Sequence, residues 1–141
     1  MPKIFVDKSI EINAPASKVW EVLTNPKLTK EWIKLWWPDI MVLESDWKLG
    51  SPVLWKVSGK IGATGIVMLV DPSRMLSFSF KVNGSSKQEN IVYRLEGQKA
   101  SCTLSISVGD FGDTQEHRLC YSGADEAWNQ SLPKIKQLAE K

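Results

Sequence analysis

The chain has 141 residues, 43% of them hydrophobic and 24% charged, with a formal charge of +2. That length suits a single domain spanning 1–141 with a core of its own, and the small, scattered charge lacks the basic footprint of a nucleic-acid binder. No apolar run approaches the ~20 residues of a membrane span, and two cysteines outside any Cys-x-x-Cys pair, with one histidine, argue against a metal site or a disulfide framework.

The amino-terminal segment 4–14 alternates, with Ile4, Val6, Ile10 and Ile12 on one side and Asp7, Ser9 and Glu11 on the other, which predicts a half-buried strand whose inner row is broken by Lys8. The apolar stretch before Asp7 is too short for a signal peptide, so the cytoplasm is the expected address. Pro15 opens a short helix carrying Val19, Trp20 and Leu23, and Asn25-Pro26 stops it and starts a second, with Leu28 and Trp32 on one side. The segment Trp36-Trp37-Pro38-Asp39 should be irregular, because the residue before a proline avoids the helical region.

From Ile40 onward, strands alternate with turn signals at Gly50-Ser51-Pro52, Gly59 to Gly62, Asp71-Pro72-Ser73, Asn83 to Ser86 and Glu96-Gly97-Gln98, the spacing of an antiparallel meander. Trp55 lies on one strand with Val53 and Val57, Phe78 and Phe80 on another with Leu76 and Val82, and Tyr93 and Leu95 on a third with Ile91. Cys102, Leu104, Ile106 and Val108 follow on a fourth, opposite Ser101, Thr103, Ser105 and Ser107. The stretch Ala63–Val70 is apolar on both faces, which predicts a central strand.

The carboxy-terminal stretch from Ser122 to Lys141 reads as one long amphipathic helix, roughly 28 Å at ~1.5 Å per residue. Ser122 is placed to cap it, with Asp125 three residues on. Ala124, Trp128, Leu132, Ile135, Leu138 and Ala139 form its apolar stripe. Pro133 predicts a kink or a break. Residues 114–121 fit either a short helix or a loop.

This order of elements resembles the helix-grip fold of START-like, birch-pollen-allergen-like (SRPBCC) proteins. More narrowly, IEINAPASKVWEVLTNPKLTKEW resembles the opening of the AHSA-type family, homologues of the activator of the heat-shock chaperone ATPase. SDWKLGSPVLWK, GIVMLVDPSRMLSFSF and AWNQSLPKIKQLAE resemble later segments of that family, so the likeness spans nearly the whole chain. Gly50-Ser51 stands where the family commonly has two glycines, and Ala127-Trp128 where it commonly has Gly-Trp. The family's chaperone activator carries a further amino-terminal domain, which is not expected within 141 residues. The implied fold is α+β, a curved antiparallel sheet of about seven strands wrapped around the long carboxy-terminal helix, with two short helices after the first strand.

On that fold the aromatic inner row of Trp55, Phe78, Phe80 and Tyr93, with Leu95, looks towards Trp128, Leu132 and Ile135, and Trp36 and Trp37 stand at a mouth or lid. Either these ten side chains line a cavity for a small hydrophobic molecule, or they fill a core. The resemblance implies the cavity, and also implies two alternatives: an accessory protein contacting a chaperone or another protein, and a cyclase- or hydrolase-like enzyme. No catalytic residue is assigned. His117 would have to serve any Ser-His-acid set, and the residue pattern does not single one out. The segment Gly59–Gly65 lacks the Gly-Lys-Ser/Thr ending of a phosphate loop and reads as a hairpin turn. A buried charge at Glu89 or Arg94 would be a functional clue, and alternation puts Arg94 on the water side. No cofactor or metal is expected.

Overall fold

The computed structural model describes residues 6–83, 88–97, 100–109 and 115–141, the last from the backbone alone over 115–121. Its elements run β1 (Val6–Ile12), α1 (Ala16–Thr24), α2 (Pro26–Ile33), β2 (Ile40–Ser45), β3 (Pro52–Val57), β4 (Lys60–Asp71), β5 (Met75–Val82), β6 (Glu89–Gly97), β7 (Cys102–Gly109) and α3 (Gln115–Ala139). The seven strands form one antiparallel sheet in the order β1-β7-β6-β5-β4-β3-β2. From β2 to β7 every strand lies beside its successor, so short turns suffice. β1 and β2 sit at opposite edges, and α1 and α2 span the sheet between them. α3 packs against β1, α1 and α2. This is the α+β architecture with a curved seven-stranded sheet and a long closing helix that the sequence implies.

Local chemistry explains the break between α1 and α2. Pro26 has no N–H to offer the carbonyl of Val22, four residues earlier, and the indole Nε1 of Trp32 donates to that carbonyl instead, at 3.0 Å. Asn25 caps α2 through its side chain, which accepts from the Lys27 amide at 2.9 Å. The carbonyl of Thr24, at the end of α1, accepts from the indole of Trp47 at 3.1 Å. Trp47 takes a φ of 53°, rare for a bulky residue, and is held there by that bond and by its own amide on Ser45 Oγ.

Two expectations about the closing helix need correction. The closing helix begins at Gln115, so Ser122 lies inside it as an exposed residue and caps nothing. Residues 115–121 are helical. α3 also runs without a break through Pro133, which is exposed, as is Asn129, whose carbonyl loses its amide partner. Water can satisfy that carbonyl, and the packed face of the helix is spared. β4 lies inside the sheet between β5 and β3, as its apolar stretch predicts, with Val67 buried on the inner face while Ile66 and Met68 are 54% and 43% exposed. Of Gly59–Gly65, only Gly59 (φ 76°) is in the β3–β4 turn; Gly62 and Gly65 belong to β4.

Lys8, the charge in the inner row of β1, reaches α3 and pairs with Asp125 at 2.8 Å. The side chains of His117 and Cys120, the glycine and serine of Asn83-Gly84-Ser85, and Ile4 lie outside what is described. Cys102 is a buried free thiol, and burial raises its pKa.

Candidate functional site

Strand period two puts Leu76, Phe78 and Phe80 of β5 on the inner face with Ile91, Tyr93 and Leu95 of β6 and Trp55 of β3. Antiparallel register sets Phe78 opposite Ile91 and Leu76 opposite Tyr93. The rings then meet in sequence across the sheet and onto the helices. Phe80 and Trp55 have centroids 4.8 Å apart, Trp55 and Phe78 5.8 Å, Phe78 and Tyr93 5.5 Å, Tyr93 and Trp128 5.7 Å, and Trp128 and Trp32 5.7 Å. Most of these contacts are edge-on or tilted, the arrangement favoured by ring quadrupoles.

This aromatic arc walls a cavity of about 550 Å³ between the sheet, α2 and the amino-terminal half of α3. Trp36 and Trp37, 5.9 Å apart in the irregular turn after α2, are half-exposed on its wall, where a mouth was expected. Of the ten expected residues, Trp36, Trp37, Trp55, Phe78, Phe80, Tyr93 and Trp128 line it. Leu95, Leu132 and Ile135 are buried in the core but do not line it. The reason is where the space falls along α3. It lies beside Gly123, Ala124 and Ala127, small side chains that leave room, and not beside Pro133. A proline-disturbed helix is therefore not what opens the cavity.

Trp32 and Glu89 are wall residues that the sequence reading did not place in the cavity. Trp32 shared a helix side with Leu28, but nothing local brings it onto Trp128. Glu89 was legible: it has the same parity as Ile91, Tyr93 and Leu95, and it is 8% exposed. Arg94, of opposite parity, is exposed as expected.

The polar groups of the wall fall into two sets. The Trp32 indole N–H is satisfied by Val22. Among the described residues, by contrast, the Tyr93 hydroxyl and the Trp55 and Trp128 indole N–H groups have no hydrogen-bond partner, although these residues are only 2%, 3% and 6% exposed. Burial also pushes the Tyr93 phenol well above its ordinary range, so it stays protonated as a neutral donor.

A curved antiparallel sheet closed by a long helix, with an apolar cavity between them, defines a protein of the helix-grip class. Residues 13–140 match the family model described as "Activator of Hsp90 ATPase homolog 1-like protein", and the chain belongs to that family. No curated protein matches it by sequence. Among solved structures it is similar to the protein MLL2253 of Mesorhizobium loti, with 22% identity, 96% of each chain covered and a TM-score of 0.79. A Cytophaga hutchinsonii protein is similar with 24% identity, 99% of this chain and 97% of that one covered and a TM-score of 0.74. The Aha1 dimer of Colwellia psychrerythraea is similar with 18% identity, 97% and 96% covered and a TM-score of 0.72. At these identities the likeness is one of fold. Among the described residues, no helix is long and apolar enough to cross a membrane.

Proposed function

We propose that the protein binds a small hydrophobic molecule non-covalently in the cavity between sheet and α3, as a single cytoplasmic domain of residues 1–141 acting without a cofactor. The observation that carries this reading is the size of the space. Protein interiors are close-packed, and a defect is commonly no larger than one water, about 30 Å³ of liquid volume. A cavity of about 550 Å³ with aromatic walls falls instead within the roughly 300–1,000 Å³ of small-molecule sites. Trp36, Trp37, Trp55, Phe78, Phe80, Tyr93 and Trp128 are the contact residues on this reading, with Trp32 added. Titration with a panel of fatty acids, sterols and flavonoid-like aromatics should quench or shift tryptophan emission saturably, and Ala127→Leu, which fills the cavity from α3, should weaken the response without unfolding the protein. If no compound binds more tightly than about 1 mM, worth only ~4 kcal/mol, the reading fails.

A second reading, contact with a chaperone as the family's name suggests, is favoured by one feature. Ile66, Met68 and Leu69 of β4 expose an apolar strip on the outer face of the sheet, away from the cavity. Stimulation of a chaperone ATPase that Met68→Glu abolishes, with small-molecule binding intact, would support it. Stimulation unaffected by that change would remove the strip from consideration.

A further inference from the structure

We infer that the ligand is a neutral aromatic compound bearing an acceptor oxygen such as a ketone, and that the Tyr93 hydroxyl donates to that oxygen from the cavity wall. The inference rests on the cavity reading above and names the chemistry that the cavity would select.

Buried polar groups in folded proteins are paired with few exceptions, because an unpaired donor forfeits its hydrogen bonds to water without replacement. This chain follows the rule elsewhere in the same layer. Trp32 and Trp47 bring their indole N–H groups to carbonyls at the end of α1. Tyr93, Trp55 and Trp128 are the contrast: all three line the cavity, all three are more than nine-tenths buried, and among the described residues none has an acceptor. Three unanswered donors around one space describe an occupant that accepts. A plain hydrocarbon would leave them all unpaired.

The charge of the wall narrows the class. No lysine, arginine or histidine is among the described residues of the wall, and Glu89 is its carboxyl. A carboxylate ligand would have to leave water for an apolar, aromatic site, which is costly. A neutral carbonyl meets the donors without that cost. The rings argue for a flat ligand, since Phe78, Trp55 and Trp128 all line the space and aromatic side chains pair favourably with further rings.

The test uses three probes with one ring system: 9-fluorenone, fluorene and fluorene-9-carboxylate, titrated against the full-length protein by tryptophan fluorescence and calorimetry. Fluorenone should bind at least about tenfold more tightly than fluorene and than the carboxylate, a tenfold change being what about 1.4 kcal/mol of hydrogen bonding supplies. Tyr93→Phe should remove most of the preference for fluorenone over fluorene and leave fluorene binding unchanged. Equal binding of fluorenone and fluorene would overturn the inference while leaving the cavity reading intact, and so would tighter binding of the carboxylate. Binding of none of the three, together with silence across the wider panel, would overturn both. A fluorenone preference that survives Tyr93→Phe would overturn the role given to the Tyr93 hydroxyl. Stability supplies a check independent of the probes. In the ligand-free protein Tyr93→Phe should leave the unfolding equilibrium constant unchanged or lower it, whereas a tenfold rise, a loss of stability, would reveal an internal partner for the hydroxyl and overturn the inference.

Discussion

Gly62 of β4 lies directly beneath the indole of Trp37: a Cβ placed on the glycine would stand 2.6 Å from Trp37 Cζ2 and 2.9 Å from Cη2. The absence of a side chain at one strand position thus lets a tryptophan of the irregular turn after α2 rest on the sheet at the edge of the cavity. Both distances are below any real carbon contact, so a methyl group there must move the ring. Gly62→Ala should lift Trp37 away from β4 and widen the mouth. The expected result is release of a bound probe several-fold faster in stopped-flow fluorescence, with a stability loss of about 1–3 kcal/mol from overpacking. An unchanged release rate would mean that Trp37 does not control access.

Trp128 bridges α3 to α2 and to β6, with ring contacts to Trp32 and Tyr93. Trp128→Ala removes a buried indole from the meeting point of three elements and should cost ~3–5 kcal/mol in chemical denaturation. A loss below about 1 kcal/mol would show that α3 is anchored elsewhere along its stripe.

Tyr93 gives the protein an alkaline limit. Its folded pKa is raised above the ordinary value of 10.0 by desolvation, so the folded state holds its proton more tightly than the unfolded chain does. Stability from this group is fully present below pH 10 and declines above it as the unfolded phenol ionises. Tyr93 phenolate absorbance should therefore appear only with unfolding, and Tyr93→Phe should lose less stability than the parent between neutral pH and pH 11. Reversible ionisation of Tyr93 in the folded protein near pH 10 would contradict the burial described.

Glu140 works at the acidic end. Its carboxylate accepts from Lys136 and from the Asn13 amide at 2.8 Å, which tethers the end of α3 to the chain just after β1, and these bonds hold its pKa below 4.5. A depressed folded pKa means stability that is present above the unfolded value and is lost as pH falls through the folded one. The parent should be more stable than Glu140→Gln at neutral pH, and the gap in denaturation midpoint should close as pH drops below 4.5. A gap that persists at low pH would mean that the glutamate acts by packing and not by charge. Because the pair is exposed, the effect should also shrink in high salt.

What the sequence alone determined about this protein is what repeats along the chain. Alternation at period two placed Phe78, Phe80 and Tyr93 on one face and Arg94 on the other. The three- and four-residue stripe placed Trp128, Leu132 and Ile135 together, and Asn25-Pro26 divided α1 from α2. Those signals are local, because a strand or helix must turn its apolar side to a core whatever lies opposite. Where the core stops and a cavity begins depends on which side chains meet across the fold. Leu132 and Ile135 share a stripe with Trp128, yet only Trp128 reaches the space, because α3 passes it at Gly123, Ala124 and Ala127, where side chains are short. The start of α3 was hidden for a related reason. Ser122 with Asp125 three residues on is a good local signal for a helix start, but it is worth only about 1 kcal/mol and the helix continues through it from Gln115. The exposed outer face of β4 likewise followed from what does not cover it. Local periodicity is written in consecutive residues; empty volume, unpaired donors and covered faces belong to no segment and arise only when distant elements are brought together.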